Sequence, residues 1–515
     1  MLRAAISSVT LALGAAAGAV ALTTPAHAVA PPTPPSPPPN SFADSRWGTD
    51  GTQTSLYQLN KTIGALDVHK LLSGTNEPIT GKGIGVALID SGIAPVAGLN
   101  DPTRILNGPD LSFESQTAGT RYKDTFGHGT HMGSIIAAKD TTAPADSAGS
   151  YSGVAPDAKL ISLKVASNDG ATDVSQVIAA IDWVVAHRKD PGLNIRVLNL
   201  SFGTHSVQSE QVDPLSHAVE SAWRNGIVVV VSVGNDGAAG TNVTMPAANP
   251  YVISVGAADT QGTDYPSDDT VATFSSVGNL TRHADLLAPG TSVIGLRDPG
   301  SYIDTNYPSG LVPGDTTGKL FRGSGSSQAA AVVSGAVALL LQKRPDLTPD
   351  QVKTLLTTTA SPMPKAIGYA KGAGELNIRT AVGAALPAVG LQLWPRSTGT
   401  GSLEKSRGTA HVTDPDLGVD LIGEKDIMGK PWSASVWAAK ASTGTAWTGG
   451  TWNGSVWTGT AFGTGTSSWT GVSWTGSNWA GLSWSSRSWT SAVWDGRTWT
   501  SRSWSGRSWC SRTWV

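Results

Sequence analysis

The chain has 515 residues, of which 14% are charged, and a formal net charge of −2. This length exceeds one ordinary core, so two or more domains are expected. The near-neutral charge gives no global electrostatic attraction to nucleic acid or to a strongly acidic partner. Cys510 is the only cysteine, which excludes an internal disulfide. Its thiol is left for pairing between chains or, more simply, for no role in the tail.

The first 28 residues have the pattern of a signal peptide. Arg3 supplies a positive end, residues 9–22 form an apolar run, and Ala26 and Ala28 are the small residues expected around a cleavage point. The alternative is a membrane anchor, but the run is short for a bilayer span and lacks flanking stop-transfer charge. We therefore predict a secreted, extracellular protein whose mature chain has no transmembrane span.

A proline-rich linker is predicted over residues 29–59, because the proline run at 31–39 acts as a stiff spacer without a packed core. Residues 60–388 have the character of a globular domain, in which short apolar runs alternate with amphipathic helical patterns. Runs rich in Val, Ile and Leu predict strands covered on both faces at 84–89, 160–165, 195–200, 227–233 and 251–255.

Helical patterns lie between these strands. The clearest covers residues 173–187, where Asp173 can cap the start and Gln176 can complete a capping box. A later helix is predicted to begin near Thr348, which is followed by a proline and a capping-box glutamine. The alternation of strands and helices predicts an α/β domain with a mainly parallel sheet, whose reactive groups gather at the carboxyl ends of the strands.

Three short segments carry candidate catalytic residues. Asp90 places a carboxylate at the end of an apolar strand, although a turn cap would explain it alone. His128 lies between two glycines at the start of a helix predicted over 131–138, an arrangement that packing explains poorly, whereas His131 fits packing. Ser327 follows a glycine-rich turn and leads into a helical run predicted over 332–341, and backbone N–H groups at such a helix start favour developing negative charge. Helix capping is the simpler explanation of that serine taken alone.

Together the three segments resemble the motifs of the subtilisin-like serine proteases, the peptidase S8 family, in the same Asp, His, Ser order. Residues 90–92 match Asp-Ser/Thr-Gly, residues 127–131 match Gly-His-Gly-Thr-His, and residues 325–329 match Gly-Thr-Ser-Met-Ala. The resemblance covers residues 60–388 and implies a subtilisin-like three-layer α/β fold, with a mainly parallel sheet and helices on both faces. It also implies a secreted serine endopeptidase that hydrolyses proteins through an Asp90, His128 and Ser327 triad and an acyl-enzyme intermediate.

The same resemblance implies further site residues. Asn235 matches the asparagine of the oxyanion hole, and the residues that match the substrate-binding segments are Ser201, Phe202, Gly203, Ser232 and Gly234. The expected partners are protein or peptide substrates, and catalysis needs no cofactor and no catalytic metal. Structural calcium is frequent in the family, but no loop of this chain matches such a site securely, so calcium is left open.

The serine motif departs from the family pattern. Ser326 stands where Thr is usual, Gln328 replaces Met, and Ala331 and Val332 replace a Pro-His pair, but no triad member is lost. The segment before the domain is short for a folded prodomain, so the activation route is unexplained. Two rival functions are a non-catalytic binding protein on a decayed protease scaffold, and a serine-carboxyl peptidase with Glu in place of His. The intact triad argues against the first, and the intact histidine motif at 127–131 argues against the second.

A spacer at 389–440 precedes a Trp-rich repeat tail at 441–515. From Trp469 to Trp514 a tryptophan recurs every five residues, and late arginines each follow a tryptophan by three positions. Such tails resemble those of exported actinobacterial proteases. Indole rings and guanidinium groups suit contact with cell-wall polymers, whereas the alternative is a low-complexity secreted tail. Export argues against nucleic acid as the partner.

Overall fold

The structure is a computed structural model. It describes residues 55–458, except 116–118, 240–241, 367, 387–391, 415–418 and 449, together with four short strands between residues 473 and 513. The predicted signal peptide, residues 29–54 of the proline-rich linker, Cys510 and most of the Trp repeat lie outside the described residues. The last residues of the predicted linker are described and enter the first helix, which begins at Leu56. Within the part of the chain that is described, no helix is both long enough and apolar enough to cross a membrane.

The strands, in chain order, are β1 (Gly85–Asp90), β2 (Ile105–Asn107), β3 (Lys159–Lys164), β4 (Ile195–Leu200), β5 (Phe202–Gly203), β6 (Val228–Ser232), β7 (Ile253–Asp259), β8 (Thr270–Val271), β9 (Leu286–Pro289), β10 (Val293–Leu296), β11 (Leu320–Gly325), β12 (Val412–Asp414), β13 (Val419–Asp420), β14 (Trp447–Thr448), β15 (Thr451–Trp452), β16 (Ser455–Thr458), β17 (Ser473–Trp474), β18 (Thr490–Ser491), β19 (Ser508–Trp509) and β20 (Ser511–Thr513). The helices are α1 (Leu56–Thr62), α2 (Ala65–His69), α3 (His128–Ala137), α4 (Val174–His187), α5 (Pro214–Arg224), α6 (Tyr302–Asn306), α7 (Ser326–Lys343), α8 (Pro349–Thr358), α9 (Ile378–Gly383), α10 (Leu403–Arg407) and α11 (Ala434–Ser442).

The central sheet has eight strands in the order β2-β3-β1-β4-β6-β7-β8, with β9 also paired to β7. All pairings are parallel except that of β7 with β8. Strands β1, β4 and β6 lie in the middle, and their apolar side chains are almost all buried. This explains why they read as continuous apolar runs rather than alternating ones. The predicted α/β fold with a mainly parallel sheet is confirmed.

Helices cover the sheet in two groups. Helix α3 packs against α7, which runs along β4, β6 and β7, while α4 packs against α5. Both predicted capping boxes are present, at Asp173 with Gln176 and at Thr348 with Gln351. Helix α7 is buried from Ser326 to Leu341, so it is a core helix rather than an amphipathic surface helix.

The described residues after 391 pack onto the same core. The Arg407 side chain is fully buried and pairs with Asp173 at the start of α4, with Nε 2.6 Å from Oδ2. The indole N–H groups of Trp437 and Trp452 both donate to Oδ2 of Asp182 on α4, each at 2.8 Å. The domain boundary at residue 388 stays a prediction, but the chain beyond it is attached to helix α4 by buried polar contacts.

Candidate active site

The predicted catalytic residues come from elements that meet at the carboxyl edge of the sheet. Asp90 is the last residue of β1, His128 is the first residue of α3, and Ser327 is the second residue of α7. Asn235 follows the end of β6 by three residues. Because β1 and β6 are parallel members of one sheet, both side chains emerge at the same edge.

A buried carboxylate holds the ring of His128. Nδ1 of His128 lies 2.8 Å from Oδ1 and 2.9 Å from Oδ2 of Asp90, and both side chains are inaccessible to solvent. Burial raises the pKa of Asp90, while the neighbouring His128 and the backbone N–H of Ser91 oppose that rise. A carboxylate at Nδ1 favours the tautomer with a proton there, which leaves Nε2 as the basic nitrogen of the neutral ring.

The glycines around His128 are required by close approach and by backbone conformation. A Cβ at Gly129 would lie 2.1 Å from the carbonyl oxygen of Gly92, so only glycine lets α3 come this near to the turn after β1. Gly127, the N-cap of α3, has φ of +102°, a conformation that other residues rarely adopt. Helix α3 therefore begins at His128 rather than at the predicted residue 131.

Ser91 and Asp124 connect the two catalytic segments. Asp124 accepts hydrogen bonds from the hydroxyl of Ser91 at 2.8 Å, from the Gly127 N–H at 2.7 Å and from the Thr130 N–H at 2.7 Å. The Ser91 hydroxyl in turn accepts from the Gly129 N–H at 2.8 Å. This network fixes the turn after β1 to the first turn of α3, and so it sets the Asp90 to His128 geometry.

Ser327 lies in the first turn of α7, and the simpler explanation of helix capping is wrong. The N-cap of α7 is Gly325, with no side-chain cap. The Ser327 hydroxyl instead faces the carbonyl oxygen of Ser201 at 3.5 Å, a distance too long for a strong hydrogen bond. A serine without a capping bond, at a helix N-terminus, has its hydroxyl available for chemistry.

Asn235 is oriented by the residue next to Ser327. Its Oδ1 accepts from the backbone N–H of Ser326 and from the Ser326 hydroxyl, each at 3.0 Å. A backbone N–H can only donate, so the amide oxygen must face Ser326 and the amide nitrogen must face away. That nitrogen is buried and has no hydrogen-bond partner among the described residues. A buried, oriented and unsatisfied donor beside a nucleophile is what an oxyanion site requires.

The predicted substrate-binding segments converge on Thr244. A Cβ on Gly203 would lie 2.3 Å from its Oγ1, and one on Gly234, which has φ of +104°, would lie 2.9 Å from its Cγ2. Ser201 and Phe202 are fully buried beside these positions, and Ser232 is fully buried inside β6. The segments after β4 and after β6 therefore lie next to each other, and their role in substrate binding stays a prediction.

His131 has the structural role that the sequence favours. Its Nε2 lies 3.2 Å from the carbonyl oxygen of Phe321, and the side chain is buried between α3 and β11. Burial, with a smaller contribution from His128, lowers the pKa of His131 to about 3. The ring is therefore neutral at any pH at which a protein of this kind would be assayed.

A match to a protein-family model covers the whole of this site. A model of the subtilase family, peptidase S8, matches residues 81–401, which is more than half of the chain. The chain belongs to the subtilase family. The matched range begins before β1 and ends after α9, so it contains every element of the site. Subtilases are serine proteases and need no cofactor for catalysis.

Individual subtilases are similar over the same region. Serine protease AprX of Bacillus subtilis (strain 168) is 38% identical over 312 residues, which are 59% of this chain and 67% of that protein. Subtilisin DY of Bacillus licheniformis is 32% identical over 295 residues, which are 57% of this chain and 89% of that protein.

Solved structures are also similar to this chain. A cold adapted subtilisin-like serine proteinase has 27% identity and a TM-score of 0.43, over 58% of this chain and 89% of that one. Fervidolysin from Fervidobacterium pennivorans, a keratinolytic enzyme related to subtilisin, has 26% identity and a TM-score of 0.48, over 66% of this chain and 46% of that one.

Sequence reasoning missed the residues that support the site. Ser91 lies within a recognised motif and Asp124 lies three residues before another, but their roles depend on contacts across more than thirty residues of sequence. Lys164, at the end of β3, is buried and its Nζ lies 2.9 Å from Glu114 and 3.0 Å from the carbonyl oxygen of Ser91. Its only sequence signal is a lysine at the end of an otherwise apolar strand.

Proposed function

We propose that this subtilase is a secreted serine endopeptidase in which Asp90, His128 and Ser327 form the catalytic triad and Asn235 donates to the oxyanion. The observation that carries the proposal is the pair of oriented side chains. His128 is held at Nδ1 by Asp90, and the amide nitrogen of Asn235 is turned away from Ser326. Both orientations prepare charge stabilisation before substrate arrives.

The proposed reaction begins when Nε2 of His128 takes the proton of the Ser327 hydroxyl as its oxygen attacks the peptide carbonyl carbon. Asp90 stabilises the imidazolium that forms. The Asn235 amide and the backbone N–H of Ser327, in the first turn of α7, donate to the oxyanion. His128 then protonates the leaving amine, and water hydrolyses the acyl-enzyme, which regenerates the serine.

The proposed substrates are proteins and peptides bound along Ser201, Phe202 and Gly203, with Gly234 in the neighbouring segment. Gly203 and Gly234 both lie against Thr244, which places the two segments next to each other. The predicted signal peptide at 1–28 supports secretion, and the Trp-rich tail supports the hypothesis of contact with the cell wall. The N-terminal sequence of the protein recovered from culture medium tests the export part of the proposal.

A fluorophosphonate probe tests the nucleophile directly, because it reacts with an activated serine without needing a known substrate. We expect one probe per mature chain, located on Ser327 by peptide mass spectrometry, and no labelling of Ser327→Ala. Ser326→Ala is the matched control, since it removes the adjacent hydroxyl and should be labelled to completion, although more slowly. A folded chain that stays unlabelled, both in full and when it ends after residue 506, would support the decayed scaffold instead.

A further inference from the structure

The last residues of the chain form two short strands on either side of the nucleophile. Strand β19 pairs antiparallel with β5, which directly follows Ser201, and the carbonyl oxygen of Ser201 lies 3.5 Å from the Ser327 hydroxyl. Strand β20 pairs antiparallel with the end of β11, which leads directly into α7 and Ser327. Strands β19 and β20 therefore pair with the two segments, β5 and the end of β11, that border the Ser327 hydroxyl.

The register places two short strands against the two segments that border Ser327. In β19, Ser508 lies opposite Gly203 and Trp509 lies opposite Phe202. In β20, Ser511 lies opposite Gly325. Only one residue separates the two strands in sequence, so neighbouring stretches of the chain pair with β5 and with the end of β11. Backbone pairing with an exposed strand edge is a general way to hold an extended peptide.

The burial of the site agrees with a filled cleft. His128, Asn235 and Ser327 are each 0% exposed in the full chain. A nucleophile that attacks peptide bonds of other proteins has to be reachable when its cleft is empty. Within the described ranges, β19 and β20 are the segments paired to both sides of this hydroxyl.

We propose that strands β19 and β20 are an internal ligand of the substrate cleft, so that the enzyme is inhibited by a segment of its own chain. The inference rests on the proposed function, since the cleft it fills is the proposed substrate site. Each short strand pairing is weak, but a tethered segment competes at an effective concentration of about 1 mM. Tail and substrate exclude each other, so the tail should raise the apparent KM and leave kcat unchanged.

The first experiment compares the full chain with one that ends after residue 506, using a short peptide substrate and intact mass measurement before each assay. We expect the apparent KM of the truncated chain to be about tenfold lower than that of the full chain, and the two kcat values to agree within about twofold. The tenfold change follows because a millimolar effective concentration is about ten times the dissociation constant of a weakly bound peptide. A synthetic peptide of residues 507–515 should inhibit the truncated enzyme competitively. Equal KM values for the two chains would overturn the proposal.

The repeat supplies a matched control for the pairing. Arg-Ser-Trp occurs at 502–504 and again five residues later, at 507–509. Ser508→Pro removes a backbone N–H from the segment opposite Gly203, whereas Ser503→Pro makes the same change in the preceding pentad. We expect Ser508→Pro to lower the apparent KM like the truncation, and Ser503→Pro to behave like the unmodified chain. Identical effects of the two prolines would contradict a specific pairing.

A readout without turnover separates this proposal from the proposed function. In a Ser327→Ala background, Cys510 is the only thiol and lies between the two paired strands in sequence. We expect its reaction with a thiol reagent to be slower than in the same background with Ser508→Pro, and faster when excess peptide substrate is added. Equal reactivity in all cases would reject the internal ligand. If the chain that ends after residue 506 and keeps Ser327 is not labelled by the fluorophosphonate probe, the proposed protease mechanism is rejected instead.

Discussion

At the residue scale, the orientation of the Asn235 side chain is set by its neighbour Ser326. Its oxygen is fixed by two donors of Ser326, so its nitrogen is committed to the other side. Asn235→Asp keeps the accepting oxygen but replaces the donor with a second oxygen that repels an oxyanion. We expect kcat to fall by roughly 10²–10³ with KM little changed, a magnitude taken from loss of this kind of donor in a subtilisin.

Steady-state kinetics on one peptide substrate, with the thermal midpoint measured in parallel, would check this prediction. Ser326→Ala is the useful comparison, because the backbone N–H of Ser326 still holds the Asn235 oxygen after the hydroxyl is removed. That variant should lose only severalfold in kcat. If Asn235→Asp kept its kcat, the oxyanion would have to be held by backbone N–H groups alone.

The proposed catalytic residues could be predicted because they sit in short motifs, whereas the residues that support them could not. His128 has flanking glycines as a local signal, and Gly129 is explained by the close approach of the Gly92 carbonyl. Asp124 and Lys164 act through contacts with distant residues, such as Ser91, that no local pattern reveals. Sequence alone could assign the chemistry of the site but not the network that holds its geometry.

At the element scale, the start of helix α4 is encoded in its local sequence. No local pattern reveals that the later segment, after residue 391, packs against this helix. The capping box of Asp173 and Gln176 was predictable because its residues are three apart. Helix α7 begins at Ser326, six residues before the predicted apolar run, because its first turns are built of Ser, Gln and Ala without apolar periodicity. The short strands β5, β8 and β9 were missed since strand pairing, not composition, defines them.

Asp182 on α4 makes the attachment of the later segments dependent on pH. Burial raises its pKa to about 7, opposed by the indole N–H groups of Trp437 and Trp452. The native state therefore keeps a proton that the unfolded state loses near the ordinary value of 3.8. Since the native state binds more protons in this window, this carboxyl makes the free energy of unfolding decrease as pH rises from about 4 to 7.

Asp182→Asn imitates the protonated carboxyl and retains an oxygen that can accept from both indoles. We expect the variant to lose this part of the pH slope and to gain up to about 2–4 kcal/mol in unfolding free energy at pH 8, as a shift of this size implies. Urea unfolding at pH 5 and pH 8 measures the difference. Asp146→Asn, at an exposed position, should leave the slope unchanged, and a destabilised Asp182→Asn at pH 8 would contradict the argument.

At the scale of the whole molecule, the residues between 392 and 458 belong to the folded unit more closely than their composition indicates. Their anchors are single side chains spaced far apart in sequence, such as Arg407, Trp437 and Trp452, so no periodic pattern marks them. Each is buried, and each bonds to a carboxylate on or capping α4. The predicted spacer is therefore a packed layer over α4 and α5.

This packing predicts two different results of truncation. A chain that ends after residue 388 loses Arg407 and both indoles, exposes the covered faces of α4 and α5, and should melt at least about 5 °C below the full chain, since each buried aromatic contributes about 1.5–3 kcal/mol. A chain that ends after residue 458 keeps these anchors and should retain the melting temperature. It also lacks β19 and β20, so its apparent KM should fall as in the chain ending after 506. Equal melting temperatures for the chains that end after residues 388 and 458 would mean that residues 392–458 are a separate appendage. If the chain that ends after residue 458 has a lower KM but an unchanged melting temperature, residues 392–458 stabilise the fold and β19 and β20 act on the cleft.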